Sequence, residues 1–187
     1  NTYGSIAPDE GIKYGLLALS ISEKIKWGKG IPEANIAIGT NYFNKSDYTV
    51  ANEYYDKALK ISEEMNYKSG IATVTERIGI IYRMQSNYTK ALEFDLKALK
   101  MYEESGDKNG IANVELDMGN IFGEQSFFPK AFGHLDKALK IYEELDNQEA
   151  KGTTLNDMGN IYFLKKDYTR SFEYFSNNTI PYRYLEP

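Results

Sequence analysis

Cysteine is absent from these 187 residues, and histidine occurs once. Without cysteine there is no disulfide, no thiolate metal site and no cysteine nucleophile, although the redox compartment stays open. One histidine is a poor start for zinc, which takes three or four nitrogen, sulfur or oxygen ligands. No apolar run approaches the roughly 20 residues that span a bilayer, and no signal-peptide pattern opens the chain. Membrane insertion is therefore not expected. The 22 Lys and Arg against 27 Asp and Glu leave a net charge of −5. That balance supplies no concentrated basic face for nucleic acid or anionic lipid. Phosphate-loop and dinucleotide fingerprints are missing too; Gly28-Lys29-Gly30 reads as a turn between repeats. No G-x-S-x-G elbow supports a serine nucleophile.

What the chain has in quantity is aromatic residues in register. Sixteen tyrosines and nine phenylalanines fall largely into columns 40 residues apart. Ala58-Leu59-Lys60-Ile61 recurs as Ala98-Leu99-Lys100-Met101 and as Ala138-Leu139-Lys140-Ile141, with Ala18-Leu19-Ser20-Ile21 one step back. Gly39, Gly79, Gly119 and Gly159 form a second column; Tyr42, Tyr82, Phe122 and Tyr162 a third; Ala51, Ala91, Ala131 and Ser171 a fourth. Gly30, Gly70 and Gly110 form a fifth, with Gly152 displaced by two. Internal repetition at a fixed period is the signature of a stacked array.

Within a unit the apolar residues keep helical spacing, as in Ile71, Val74, Ile78, Ile81 and Tyr82, then Tyr88, Ala91, Phe94, Ala98, Met101 and Tyr102. Met84-Gln85-Ser86-Asn87 separates the two helices, its Asn placed to cap the second. Ser105-Gly106-Asp107-Lys108 closes the unit, with Gly106 as a helix-ending glycine. Pro32 and Pro129 suit first turns, where a missing N–H costs nothing. Each unit is thus a helical hairpin, and no period-2 strand pattern occurs. Small residues at Gly79, Ala91 and Ala98 mark close helix approaches, flanked by the tyrosine and leucine columns. A hairpin cannot bury both faces alone, so neighbours must stack into a solenoid.

Gly, an aromatic three later, Ala twelve after the Gly and Ala seven beyond that resembles the tetratricopeptide repeat pattern. It reads Gly39, Tyr42, Ala51, Ala58; Gly79, Tyr82, Ala91, Ala98; and Gly119, Phe122, Ala131, Ala138. Two departures are evident. The family's tryptophan position holds Asn35, Thr75, Glu115 and Leu155, and the period is 40 rather than the usual 34. The chain looks like the long-repeat subclass found in bacterial signalling regulators. The resemblance implies an all-α, right-handed superhelical solenoid of antiparallel helix hairpins. Its units are a partial leading repeat at 1–30 (second helix only), repeats at 31–70, 71–110 and 111–150, an incomplete repeat at 151–179, and a tail or linker at 180–187. Asn178 and Pro181 interrupt the last unit, and neither end has a polar capping helix. The chain therefore reads as a piece of a longer protein, by analogy one carrying a kinase, cyclase or DNA-binding output domain.

His134 occupies the column of Tyr54, Phe94 and Tyr174, so it reads as an aromatic-sized packing residue rather than a general base or ligand. Glu63-Glu64, Glu103-Glu104 and Glu143-Glu144 recur in register and read as a solvated face rather than acid/base dyads. Asn44-Lys45-Ser46, Asn87-Tyr88-Thr89 and Asn177-Asn178-Thr179 match the glycosylation pattern but are read as structural. Neither an enzyme signature nor a cofactor or metal site emerges.

The family resemblance places first helices on the concave face. The candidate partner-binding residues are then Ile36, Thr40 and Phe43; Glu76, Arg77, Ile80 and Arg83; Asn113, Leu116, Asp117 and Asn120; and Asn156, Asn160 and Phe163. These positions vary between copies while the core columns repeat, which suits a binding surface on a constant scaffold. Phe43 and Phe163 stand out on a face otherwise expected to be solvated. Asn120 and Asn160 share a column, and amides in a row suit an extended peptide backbone. A terminal-carboxylate clamp is disfavoured, since only Arg77 is basic among the matching positions Ile36, Ala37, Thr40 and Asp117. The expected partner is a peptide or protein, not nucleic acid. A homodimer or spacer formed through under-capped ends is the second reading. The expected compartment is the cytoplasm, or the periplasm if an upstream signal sequence was removed.

Overall fold

The computed structural model describes residues 7–177, with side chains through Ser176. The tail at 180–187, Asn178 and Pro181 lie outside the described residues. Among those described the chain forms nine helices: α1 Pro8–Lys24, α2 Gly30–Asn44, α3 Tyr48–Glu64, α4 Lys68–Met84, α5 Tyr88–Ser105, α6 Lys108–Glu124, α7 Phe128–Glu144, α8 Gln148–Leu164 and α9 Tyr168–Asn177. None of these helices is long and apolar enough to cross a membrane.

Short turns punctuate the helices at an almost constant step. A left-handed backbone residue recurs every 20 positions, at Lys26, Ser46, Asn66, Ser86, Gly106, Ser126, Asp146 and Lys166. Each sits where a helix must reverse, and after the seven that are not glycine the next backbone N–H reaches back five residues to close the turn. Asp47 N donates to Tyr42 O at 2.9 Å, Tyr67 N to Ser62 O at 2.7 Å and Phe127 N to Phe122 O at 2.8 Å. This six-to-one bond satisfies a carbonyl that the helix end leaves unpaired. Asp47, Asp107 and Asn147 then cap the next helix, accepting from Val50 N, Gly110 N and Ala150 N. Asn87 does likewise toward Lys90 N at 3.3 Å. Phe127 and Tyr67 hold the same position without a side-chain cap.

Gly106 is the one glycine in the left-handed column, and it has φ +71°. A side chain there is strained by roughly 1–2 kcal/mol, partly offset by a less flexible unfolded chain. Gly106→Ala is expected to lower the unfolding free energy by about 1 kcal/mol, and Ser126→Gly to raise it by about 0.5 kcal/mol. Denaturant titration of the two variants checks both signs.

The chain divides into two compact units, residues 1–105 and 106–187. In the first, α1 packs on α2, α2 on α3, α3 on α4 and α4 on α5; α2 also touches α4. In the second, α6 packs on α7, α7 on α8 and α8 on α9, while α6 also touches α8. Among the described residues α3 does not touch α5, nor α7 α9. Each unit therefore curves so that first helices form its inner row and second helices its outer row.

The glycine column is a contact between the two helices of a hairpin. A Cβ on Gly39 would lie 2.6 Å from the Tyr55 ring, on Gly79 2.6 Å from Asp95 Oδ1, on Gly119 2.7 Å from Leu135 Cδ2 and on Gly159 2.8 Å from the Phe175 ring. The alanine columns are fully buried at Ala51, Ala58, Ala91, Ala98, Ala131 and Ala138. Around them the first unit packs Tyr55, Val74, Ile78 and Ile81, and the second Leu135, Met158 and Ile161. Beside each contact a pair of rings closes the hairpin: Tyr42 with Tyr54, Tyr82 with Phe94, Phe122 with His134 and Tyr162 with Tyr174, centroids 5.2–5.6 Å apart. Such pairs contribute beyond their buried area.

Candidate partner-binding surface

On the inner row of the first unit, the junction of α2 and α4 holds a small pocket of about 90 Å³ lined by Thr40, Phe43, Asn44, Tyr55, Arg77 and Ile80. The Thr40 hydroxyl donates to Ile36 O at 2.9 Å and lies 3.2 Å from the Tyr55 hydroxyl. With the Thr40 proton so engaged, the Tyr55 hydroxyl is the donor in that second bond. Tyr55 itself is buried, and burial pushes its phenol above the usual range. The pocket thus combines an apolar wall from Phe43 and Ile80 with hydroxyl, amide and guanidinium groups. Four sequence candidates, Thr40, Phe43, Arg77 and Ile80, meet there.

The other first-unit candidates are placed differently. Ile36 is half-buried against the core. Phe43 is also half-buried, its ring 5.3 Å from that of Tyr48 at the turn into α3. Glu76 is 2% exposed, which corrects the expectation of a solvated position. Its carboxylate accepts from the Tyr102 hydroxyl at 2.7 Å and stands 3.9 Å from Arg77. Burial and that negative charge together push the Tyr102 phenol far up. Arg83 is half-buried.

On the inner row of the second unit, α6, α7 and α8 border a larger, open pocket of about 260 Å³. It is lined by Asn113, Leu116, Tyr142, Asn147, Glu149, Ala150 and Thr153. The Tyr142 hydroxyl donates to Asn113 Oδ1 at 2.6 Å, fixing which way that amide points. Tyr102 makes the equivalent reach toward Thr73, in the same column as Asn113. Asn120 donates to Asp157 Oδ2 at 2.9 Å, so its amide is coupled to α8. Asn156, Asn160 and Phe163 are exposed, Phe163 with its ring 5.5 Å from that of Tyr168. Asp117 is buried, a second correction to the solvated-face expectation.

Several lining residues escaped the sequence reading. Thr153 could have been found, because it shares the column of Asn113. Tyr55 and Tyr142 could not, since they belong to second helices and enter the inner row through their length alone.

Histidine 134 packs as its column suggests, with its ring 5.2 Å from Phe122 and an interplanar angle of 14°. It also does something the other ring columns do not. Its Nδ1 lies 2.6 Å from Oε2 of Glu115, and Lys137 Nζ lies 3.2 Å from Oε1. A carboxylate can only accept, so Nδ1 carries the proton. Burial pushes the Glu115 carboxyl up, but the bonds from His134 and Lys137 outweigh it and hold the group below its ordinary value. The repeated glutamate pair has a similar bridging use in the second unit: Glu143 meets Lys151 at 2.9 Å and Glu144 meets Lys108 at 2.9 Å. Among the described residues no group of three or more acidic or histidine side chains could hold a metal ion.

Comparison with known proteins matches the tetratricopeptide repeat family model to residues 30–104 and 110–176. No curated protein matches the chain. Solved structures with a similar fold include BtubC (BKLC) from P. vanneervenii, at 18% identity and TM-score 0.72 over 93% of this chain and 73% of that one. The apo form of RapI matches at 23% identity and TM-score 0.67, over 89% of this chain and 46% of that one. Aspartyl phosphate phosphatase F from Bacillus subtilis matches at 15% and 0.65, over 89% and 53%. The chain spans about half the length of the last two.

Proposed function

The chain belongs to the tetratricopeptide repeat family, and from that premise we propose that it is a non-catalytic scaffold binding a peptide or protein segment along its first helices. The observation that carries this is the inner row of each unit. Adjacent first helices meet there, at α2 with α4 and α6 with α8, and each junction leaves a pocket of mixed polarity. The lining differs between copies although the packing columns behind it repeat. Constant scaffold with variable lining is how a repeat array gains specificity without changing its fold.

An extended segment fits this surface better than a folded one. In the second unit its backbone offers alternating donors and acceptors to Asn160 and to the Asn120–Asp157 pair, and a side chain can enter the pocket beside Asn113 and Leu116. A sensory or regulatory part in a larger signalling protein is the finer form of the proposal. Its support is the fold shared with RapI and with an aspartyl phosphate phosphatase, at identities that speak for architecture alone.

Capture from source lysate, run in parallel with the Asn120→Ala/Asn160→Ala variant, tests the proposal. The parent is expected to retain partners that the variant loses, with affinity falling about tenfold or more for two lost hydrogen bonds. The melting temperature should fall modestly, because Asn160 is exposed but Asn120→Ala removes the bond to Asp157, about 1–2 kcal/mol. The same set captured by both proteins would remove the amide surface as the binding element.

A further inference from the structure

Tyr82 and Tyr162 share a column, and the second of them is surrounded on three sides. The Tyr174 ring of α9 lies 5.2 Å from it, the Arg170 guanidinium 5.6 Å, and the Phe132 ring of α7 closes the remaining side at 4.5 Å. Around Tyr82 the first two neighbours have counterparts in α5, Phe94 at 5.4 Å and Lys90 at 4.9 Å. The third does not. In α3 the position of Phe132 is held by Asn52, whose amide donates to Asp56 Oδ2 at 3.1 Å along its own helix. Among the described residues no ring of α3 pairs with Tyr82. A pocket of about 290 Å³ stands there instead. Ile81 and Tyr82 of α4 give it an apolar wall, and Tyr48, Thr49, Asn52 and Glu53 of α3 line the rest with Gln85. None of these residues lines the inner-row pocket of the same unit.

We propose that this pocket receives a tyrosine side chain of a partner protein, its ring taking on Tyr82 the place that Phe132 takes on Tyr162. The ring follows from the chain's own register: positions 52 and 82 stand to each other as 132 and 162 do, and there an aromatic side chain fills the space against the same tyrosine. The hydroxyl follows from the rim. At the matching positions the second unit has Phe128, Pro129, Gly133 and Lys165, none with a side-chain acceptor, whereas the first has Tyr48, Thr49, Glu53 and Gln85. Exposed Glu53 has no ion-pair partner among the described residues. A phenol buries its ring against Tyr82 and donates its proton at that rim. An aliphatic side chain offers neither contact, and phenylalanine leaves the acceptors facing an apolar edge. This goes beyond partner binding on the inner row and uses none of that surface.

Amide NMR titration of the full chain with N-acetyl-tyrosinamide, N-acetyl-phenylalaninamide and N-acetyl-leucinamide reads the site directly. The tyrosine probe is expected to shift the Ile81 and Tyr82 resonances saturably at about millimolar concentration. The phenylalanine probe should bind about three- to tenfold more weakly, for want of one hydrogen bond, and the leucine probe should not saturate. Asn52→Phe supplies the chain's own ring, so it should abolish tyrosine binding and raise the melting temperature by about 2–4 °C. Glu53→Gln should weaken the tyrosine probe about threefold or more and leave the phenylalanine probe unchanged. Absence of a saturable shift at Ile81 and Tyr82 with both aromatic probes overturns the proposal. So does tyrosine binding that survives Asn52→Phe, or a melting temperature lowered by that variant. Equal binding of the tyrosine and phenylalanine probes overturns the part assigned to the hydroxyl. Resonances of Ile81 and Tyr82 that move with protein concentration alone would seat a second copy in the pocket and overturn the separate partner.

Discussion

Replacing Gly119 with leucine is expected to lower the unfolding free energy by roughly 3 kcal/mol, the upper part of the range for forcing bulk into a packed core. The first added carbon already collides: it would sit 2.7 Å from Leu135 Cδ2, 2.8 Å from Leu135 Cγ and 3.2 Å from the carbonyl oxygen of Ala131. Leu135 is fully buried and Ala131 is backbone in the facing helix, so neither can yield without parting α6 from α7. Gly79→Leu tests the same column in the other unit, where the obstacle is Asp95 Oδ1 at 2.6 Å and the Phe94 Cβ at 3.3 Å. Gly133 in α7 supplies the control. It is exposed and nothing lies within 4 Å of its would-be Cβ. Gly133→Leu should therefore stabilise by about 0.5–1 kcal/mol through helix propensity alone. Guanidinium titrations showing the same sign for Gly119→Leu and Gly133→Leu would contradict the close-contact role of the column.

The second large effect is expected at Glu115. His134→Phe keeps the ring pair with Phe122, as Phe94 does with Tyr82, but takes a 2.6 Å donor from a carboxylate only 8% exposed. Lys137 remains, so the expected cost is about 2 kcal/mol at neutral pH rather than the larger loss of a fully orphaned charge. Adding Glu115→Thr, the residue of the same column in α4, removes the stranded charge and should recover most of that loss. The pH dependence supplies an independent readout. Glu115 titrates below its ordinary value of 4.5 in the folded chain. A carboxyl depressed by folding contributes stability that is complete above its unfolded value and disappears as pH falls through the folded one. The parent should thus lose stability from about pH 5 downward, and Glu115→Gln should show a flatter acid limb. Equal acid slopes in the two proteins would remove Glu115 as a contributor.

The periodic part of this molecule was legible because its cause is periodic. Gly119 meets Leu135 for the same reason that Gly39 meets Tyr55, so residue size must repeat wherever helices touch, and hairpins with their turns follow from a few columns. Gly106 announced both its turn and its left-handed backbone, whereas at Ser46, Ser86, Ser126 and Lys166 the turn was legible but the left-handed residue was not, because many residue types tolerate a single such position at modest cost. His134 was legible only by half. Its size matched a ring column, but its bond to Glu115 joins α7 to α6 across 19 positions and has no counterpart in the other copies from which to infer it.

The family's first-helix rule found Thr40, Phe43, Arg77 and Ile80, which gather in one pocket, and Asn113 with Leu116 in the other. It also enrolled Glu76 and Asp117, which the packing buries, and read Asn120 only as an amide in a row with Asn160, without its bond to Asp157. The amino-acid sequence by itself determined the class of structure, the repeat period and the variable positions, because burial and turn geometry act on each unit identically. Which variable side chains reach solvent and which bond to one another were decided by tertiary packing. Those outcomes depend on neighbours brought together from different units of the repeat, and periodicity carries no record of them.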